Sequence, residues 1–63
     1  MYYRLIAARK KEKKTQLEIA EKLFIHRTTY GLKEAGKMDF TLREAKVLSN
    51  YFQVPITELF EEV

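Results

Sequence analysis

The sequence predicts an all-α fold of five short helices around one small core. Its 63 residues include only two glycines and one proline, so few positions interrupt a helix. No segment alternates apolar and polar residues between turn residues, which is the pattern of a strand. Two Thr-x-x-Glu sequences, residues 15–18 and 41–44, each predict a helix start, because the threonine hydroxyl and the glutamate carboxylate can each accept a backbone N–H from the other residue.

The spacing of apolar residues places the first three helices. The second helix follows the first capping box and buries one stripe, formed by Ile19, Ala20 and Leu23. The inward positions of the first helix are Leu5, Ala8 and Ile6. Gly36 is expected to end the third helix in a left-handed conformation. The predicted bounds are about residues 2–13, 16–23 and 27–35.

The second capping box opens a fourth helix that extends to about Phe52. Its inward positions, at helical spacing, are Leu42, Ala45, Leu48, Ser49 and Phe52. Pro55 restricts the residue before it to an extended conformation and suits the first turn of a helix. A short fifth helix is therefore predicted at about residues 56–60.

The composition is that of a small folded domain and excludes several classes of protein. Hydrophobic residues make up 46% of the chain, which is typical of a packed core rather than of disorder. The chain has no cysteine and a single histidine, His26, so we expect no disulfide framework, metal site or cofactor. No apolar segment approaches the ~20 residues of a membrane span, and no signal sequence opens the chain. We therefore expect one domain over residues 1–63, located in the cytoplasm without membrane contact.

The charges are divided unevenly along the chain. Residues 1–14 carry a net charge of +5, residues 15–40 are neutral, and residues 41–63 sum to −2, within an overall charge of +3. This distribution suits a protein that presents one face to a polyanion and another to a partner subunit. A solvated lysine-rich face that only keeps the protein in solution explains the same charges equally well.

The segment over residues 15–36 has the strongest functional pattern. Two predicted helices of about eight and nine residues flank a three-residue connection, which contains the apolar Ile25. This is the geometry of a helix-turn-helix, whose second helix can enter a DNA groove about 12 Å wide. The chain resembles the lambda-repressor-like family (Cro and repressor type, also called XRE-like), a five-helix DNA-binding domain. The resemblance rests on residues 15–23 (TQLEIAEKL), Ile25, 27–29 and 34–37, and for the last two helices on 42–48, Phe52, Val54 and 58–60.

The resemblance implies a set of DNA-contacting residues. Gln16, at the positive end of the second helix, would donate to a DNA phosphate, or else it is an ordinary residue of the capping box. Lys37 and the backbone amides of residues 38–41 would bind phosphates of the other strand. In the recognition helix, Arg27 would reach guanine and Thr28 a thymine methyl, unless both side chains are simply solvated.

Further positions of the family pattern have more than one interpretation. Leu32 would pack on a thymine methyl or a sugar, or it lies in the core, because Lys33 occupies a position that is usually aliphatic. His26 stands at the helix cap, where serine or threonine is usual, and would contact DNA, cap the helix or pack. Arg9 and Glu34 match a partly buried ion pair that ties the first helix to the recognition helix, and such a pair contributes little if it is exposed.

Several residues depart from the family pattern. Three helix ends lack the usual glycine and have instead Phe24, Lys13 and Gln53, and a non-glycine residue at positive φ costs of order 1 kcal/mol. Lys14 and Lys33 replace apolar residues, so either the helix packing differs or both side chains extend outward. Gly31 lies inside the third helix, where glycine destabilises the helix by roughly 1 kcal/mol relative to alanine. It would either let the backbone approach DNA closely or indicate a recognition helix that is no longer selected for rigidity.

The sequence thus predicts a sequence-specific regulator that binds double-stranded DNA through the major groove, such as a phage or prophage Cro-like protein or a small repressor in a bacterial cell or phage-infected host. A homodimer, at least on DNA, is expected, because one small domain makes few contacts. Its predicted interface is Ile56, Phe60 and Val63. The alternative is an antirepressor-type adaptor that docks on a repressor through Phe24, Tyr30 and Lys33. No enzyme is expected, because no nucleophile–base set or phosphate loop is present.

Overall fold

The computed structural model describes residues 1–61, and this part of the chain is all-helical. Its elements are α1 (Tyr3–Lys11), α2 (Gln16–Leu23), α3 (Arg27–Glu34), α4 (Leu42–Phe52) and α5 (Ile56–Leu59). The predicted all-α fold is confirmed, and the bounds of α2 and α4 agree with those predicted. The first helix is shorter than expected at both ends. It begins at Tyr3 without a side-chain cap, and after Lys11 the chain turns through Glu12 and the left-handed Lys13.

Both predicted capping boxes are present. At the start of α2, the Glu18 amide donates to Thr15 Oγ1 over 3.1 Å, and the Thr15 amide donates to Glu18 Oε1 over 2.9 Å. The Thr41 and Glu44 pair repeats both bonds at the start of α4, with the same two distances. Each box satisfies two backbone amides that would otherwise lack acceptors at the helix N-terminus.

Four helices end through a residue in the left-handed conformation. These residues are Lys13, Phe24 and Gln53, each with a φ of 58°, and Gly36, with a φ of 82°. In each turn the next residue's amide donates back to a carbonyl five positions earlier, as in Ile25 to Ala20 over 3.0 Å and Lys37 to Leu32 over 2.9 Å. The turns therefore keep the hydrogen bonds of a glycine-ended helix although three of them lack the glycine.

The core lies where all five helices meet. Its buried members are Leu5, Ile19, Ala20, Leu23, Tyr30, Leu48 and Leu59, and half-buried aromatic rings pack on this cluster. Leu42, predicted to face inward, is instead 67% exposed. The reason is that the buried face of α4 is centred on Glu44, Ala45 and Leu48, and Leu42 falls at its margin.

The structure decides between Leu32 and Lys33. Leu32 is on the surface, 38% exposed, whereas Lys33 is 7% exposed. Of the two alternatives for Lys33, outward extension is wrong, because its Nζ lies 2.6 Å from Glu44 Oε1 inside the protein. A lysine stem therefore fills an apolar position, and a buried carboxylate compensates its charge. Lys14, in contrast, is partly exposed and lies 4.0 Å from Glu18.

Candidate nucleic-acid interface

The α2–α3 pair presents one exposed face of α3. His26, Arg27 and Thr28 are all exposed at its N-terminus, and Leu32 is exposed one turn later. Positions 28 and 32 are four residues apart and share a side of the helix. The opposite side is buried through Tyr30, Lys33 and Glu34. Four of the predicted DNA-contacting residues are therefore exposed along α3 or at its start.

The Glu34 carboxylate holds α3 to α1. Arg9 donates from Nε to Oε2 over 2.8 Å and from Nη2 to Oε1 over 3.1 Å, and the exposed fractions of the two side chains are 11% and 4%. The Tyr30 hydroxyl donates to Oε2 over 2.7 Å. Arg9 Nη1 also donates to the carbonyl of Lys14 over 2.9 Å, which fixes the α1–α2 turn. The ion pair implied by the family resemblance is therefore part of a larger buried network.

Gln16 belongs to the same network. Its Nε2 donates to Glu34 Oε1 over 2.9 Å, so the residue expected to contact a phosphate is bonded to α3. An amide nitrogen carries two hydrogens, and Glu34 accepts only one of them. The side chain is half-buried, and its carbonyl oxygen lies beside Gly31.

The buried network sets the ionisation of its members. Burial favours the neutral form of Glu34, but hydrogen bonds from Arg9, Tyr30 and Gln16 outweigh it and lower the pKa of Glu34. Burial and the hydrogen bond to Glu34 raise the pKa of Tyr30 well above its usual range. The hydrogen bond to Glu34 likewise raises the pKa of Arg9. At neutral pH the site therefore contains an ionised carboxylate, a cation and a protonated phenol.

A second buried ion pair ties α3 to α4. Burial disfavours the charged form of Glu44, yet hydrogen bonds from Lys33 and the Thr41 amide prevail and lower the pKa of Glu44. Because Glu44 also belongs to the α4 capping box, one carboxylate joins the C-terminal half of α3 to the start of α4. The buried side of α3 is thus fixed by two glutamates.

Comparison with known proteins identifies this arrangement. A family model described as Helix-turn-helix matches residues 5–59. The chain belongs to this helix-turn-helix family. The match covers α2 and α3 together with the rest of the core, and membership indicates a DNA-binding transcription regulator of a generally non-enzymatic family. No curated protein and no solved structure matched the chain.

The loop after α3 offers fewer free amides than the resemblance implied. Lys37 is exposed and follows Gly36. Of the amides at residues 38–41, that of Met38 donates to the Leu32 carbonyl over 3.3 Å and that of Thr41 to Glu44 over 2.9 Å. The amides of Asp39 and Phe40 have no such bond in the described part of the chain.

A lysine-rich segment borders the helix-turn-helix. Lys10, Lys11 and Lys13 are exposed and form no ion pair with any residue among positions 1–61. Arg9 joins this segment to the C-terminal end of α3 through Glu34, and its bond to the Lys14 carbonyl closes the turn before α2. The positive charge of the N-terminal region therefore lies beside the first residues of α2.

Two of the residues considered for an adaptor surface are not on the surface. Tyr30 is fully buried and bonded to Glu34, and Lys33 is nearly buried and bonded to Glu44. Only Phe24 is exposed, by 86%. The role of Tyr30 was missed, although a tyrosine four residues before a glutamate on one helix is a spacing at which the two side chains can meet.

The predicted dimer residues lie beside an open groove. Ile56 and Phe60 are half-buried and line a groove of about 440 Å³, together with Leu42 and Phe40. Phe60 also packs on Phe40, with ring centroids 5.1 Å apart. Val63 lies outside the described residues.

Residues 1–61 contain no helix long and apolar enough to cross a membrane. The same residues contain no cluster of three His, Cys, Asp or Glu side chains that is placed to hold a metal ion.

Proposed function

We propose that this chain is a sequence-specific regulator that binds double-stranded DNA with α3 in the major groove. The exposed face of α3, with Arg27, Thr28 and Leu32, is the observation that carries the proposal. Arginine can donate two hydrogen bonds to guanine, and threonine or leucine methyl groups can contact thymine. The buried ion pairs on the other side of α3 favour this role, because they hold the reading face rigid.

Phosphate contacts would position α3 on the duplex. Gln16 and Lys37 are the candidates from the helix-turn-helix, and Lys10, Lys11 and Lys13 add positive charge beside it. Each phosphate that a protein cation neutralises contributes roughly −0.9 to the slope of log affinity against log salt. Binding is therefore expected to weaken steeply with salt.

The reading of bases is tested by Arg27→Ala. We expect a loss of about 1–3 kcal/mol on the preferred duplex and relaxed discrimination at one base pair. The preferred duplex is first selected from random sequences at two salt concentrations. Lys37→Ala is the matched control, because loss of a phosphate contact weakens all duplexes equally. Unchanged discrimination in Arg27→Ala would refute the reading role of this side chain.

We infer that the regulator acts as a dimer of the Cro or small-repressor type, in the cytoplasm of a bacterial cell or phage-infected host. Two copies on a two-fold operator place their recognition helices about 34–36 Å apart, one helical turn of DNA. The apolar groove beside Ile56 and Phe60 supports this assembly, and Val63 would add to it.

Ile56→Lys tests the dimer. The substitution places a charge at the edge of the groove and is expected to shift the protein toward monomer in sedimentation at several concentrations. Thr57→Lys, at an exposed neighbouring position, is expected to leave the association unchanged. Equal sedimentation of both variants and the parent protein would place the dimer contact elsewhere.

A protein-binding adaptor on the same fold is the second candidate, and Phe24 favours it. The backbone of Phe24 has a φ of 58°, which is sterically unfavourable for a residue with a Cβ. Its ring is 86% exposed, so an apolar surface is also left in water. Leu17 and Glu21, one turn apart on α2, are exposed as well. A partner bound here through apolar contacts would show little dependence on salt, in contrast to DNA.

A further inference from the structure

The Gln16 amide lies between Glu34 and Gly31. Its Nε2 donates to Glu34 Oε1 over 2.9 Å, and its Oε1 lies 3.4 Å from the position that a Cβ on Gly31 would take. Gly31 is a helical residue outside the left-handed region, so its backbone conformation does not require glycine. A side chain larger than alanine at position 31 would fill the space beside the Gln16 amide.

We propose that Gly31 and Glu34 are positioning residues that hold the Gln16 amide so that its second N–H donates to a DNA phosphate. Glu34 accepts the first N–H, and the second has no acceptor among residues 1–61. Because Gly31 has no Cβ, the Gln16 side chain has room to reach across α3 to Glu34. This inference rests on the proposed DNA-binding function and assigns Gly31 a role that does not involve direct contact with DNA.

The charge of Glu34 is compatible with a phosphate nearby. A bare carboxylate would repel the DNA backbone, but both oxygens accept hydrogen bonds from Arg9, which neutralises the charge. The network can therefore orient Gln16 without adding net negative charge at the interface.

Substitutions at Gly31 test the proposal. In Gly31→Ala, the new Cβ meets Gln16 at an ordinary contact distance of 3.4 Å, so DNA affinity is expected to stay unchanged. Gly31→Val adds methyl groups that must displace Gln16. It is expected to lose roughly tenfold in affinity, as Gln16→Ala does, for preferred and random duplexes alike.

A double substitution separates this mechanism from direct obstruction of DNA. If Gly31→Val acts through Gln16, it causes no further loss in a Gln16→Ala background, whereas a clash with DNA adds to the loss. In the free protein, the side-chain amide NMR signals of Gln16 are expected to shift in Gly31→Val and to stay in place in Gly31→Ala. Gly31→Leu, with its higher helix propensity, serves as a second variant if Gly31→Val does not fold.

The outcomes are distinguishable. Full affinity in a folded Gly31→Val or Gly31→Leu variant, or additive losses in the double variant, would overturn the positioning role and leave the DNA-binding proposal intact. A parent protein that binds no duplex at low salt would overturn both.

Discussion

At the scale of single residues, the unusual feature is the use of bulky side chains where the backbone turns left-handed. Gly36 has the φ that glycine adopts freely, but Lys13, Phe24 and Gln53 have nearly the same conformation with a Cβ present. Phe24 adds an apolar ring that is 86% exposed and contributes almost nothing to the core. The helix-turn-helix connection is therefore less stable than its hydrogen bonds alone would make it.

Phe24→Gly is expected to raise the free energy of unfolding by about 1 kcal/mol. Glycine adopts the left-handed conformation without the steric cost of a Cβ, and the exposed ring supplies little packing to lose. Urea unfolding of both proteins measures the gain. Phe24→Ala is the control, because alanine keeps the steric cost, and it should show little gain. A destabilised Phe24→Gly would mean that the ring packs in solution.

At the scale of elements, α3 is held by glutamates at two points. Glu34 binds α3 to α1 and α2, and Glu44 binds α3 to α4 through Lys33. Both ion pairs are removed from water, unlike the Arg4–Glu58 pair between α1 and α5, whose side chains are 58% and 50% exposed. Breaking a buried pair leaves an uncompensated charge in the protein, whereas an exposed charge is stabilised by water.

Lys33→Met is expected to destabilise the fold by about 3 kcal/mol or more, because Glu44 then keeps a buried charge without its cation. Arg4→Met, which breaks the exposed pair, is expected to cost less than about 1 kcal/mol. Chemical unfolding of the two variants gives the comparison. Combining Lys33→Met with Glu44→Gln should recover part of the loss, since the amide oxygen can still cap α4. Equal losses in the two single variants would contradict the buried pairing.

At the scale of the whole molecule, the core is small and its polar interior links four of the five helices. The radius of gyration is 10.2 Å, and three buried charged side chains, Lys33, Glu34 and Glu44, lie beside the apolar cluster. A 63-residue domain buries only about 60% of its unfolded surface, so its stability depends on few contacts. The ionisation of these glutamates is therefore expected to affect the stability of the entire fold.

Acid is expected to unfold the protein cooperatively. The pKa values of Glu34 and Glu44 are lowered from the usual 4.5, so the unfolded state binds more protons than the folded state. The free energy of unfolding therefore decreases as the pH decreases. The contribution is complete above about pH 4.5 and is lost as the pH drops through the lower folded pKa values. Urea unfolding at pH 7 and pH 3 measures the loss, with Glu58→Gln as an exposed control that should keep the same dependence. Equal stability at both pH values would be inconsistent with the lowered pKa values.

The sequence by itself determined the helical framework. The two capping boxes predicted the starts of α2 and α4 correctly, because a cap involves residues only three positions apart and does not depend on the rest of the fold. Gly36 predicted the end of α3 for the same local reason. Membership in the helix-turn-helix family was likewise readable, since the order and spacing of these signals extend over most of the chain.

Only the tertiary structure decided how the polar residues pair. Lys33 and Glu44 are eleven positions apart, and Gln16 and Glu34 eighteen, so their bonds depend on the angles at which helices cross rather than on any local pattern. The same dependence explains why Leu42 proved exposed. Charged residues enter a core when a partner from another helix compensates their desolvation, and a single sequence shows no sign of that partner. Packing against the other helices therefore decided which residues of α3 are buried and which remain exposed.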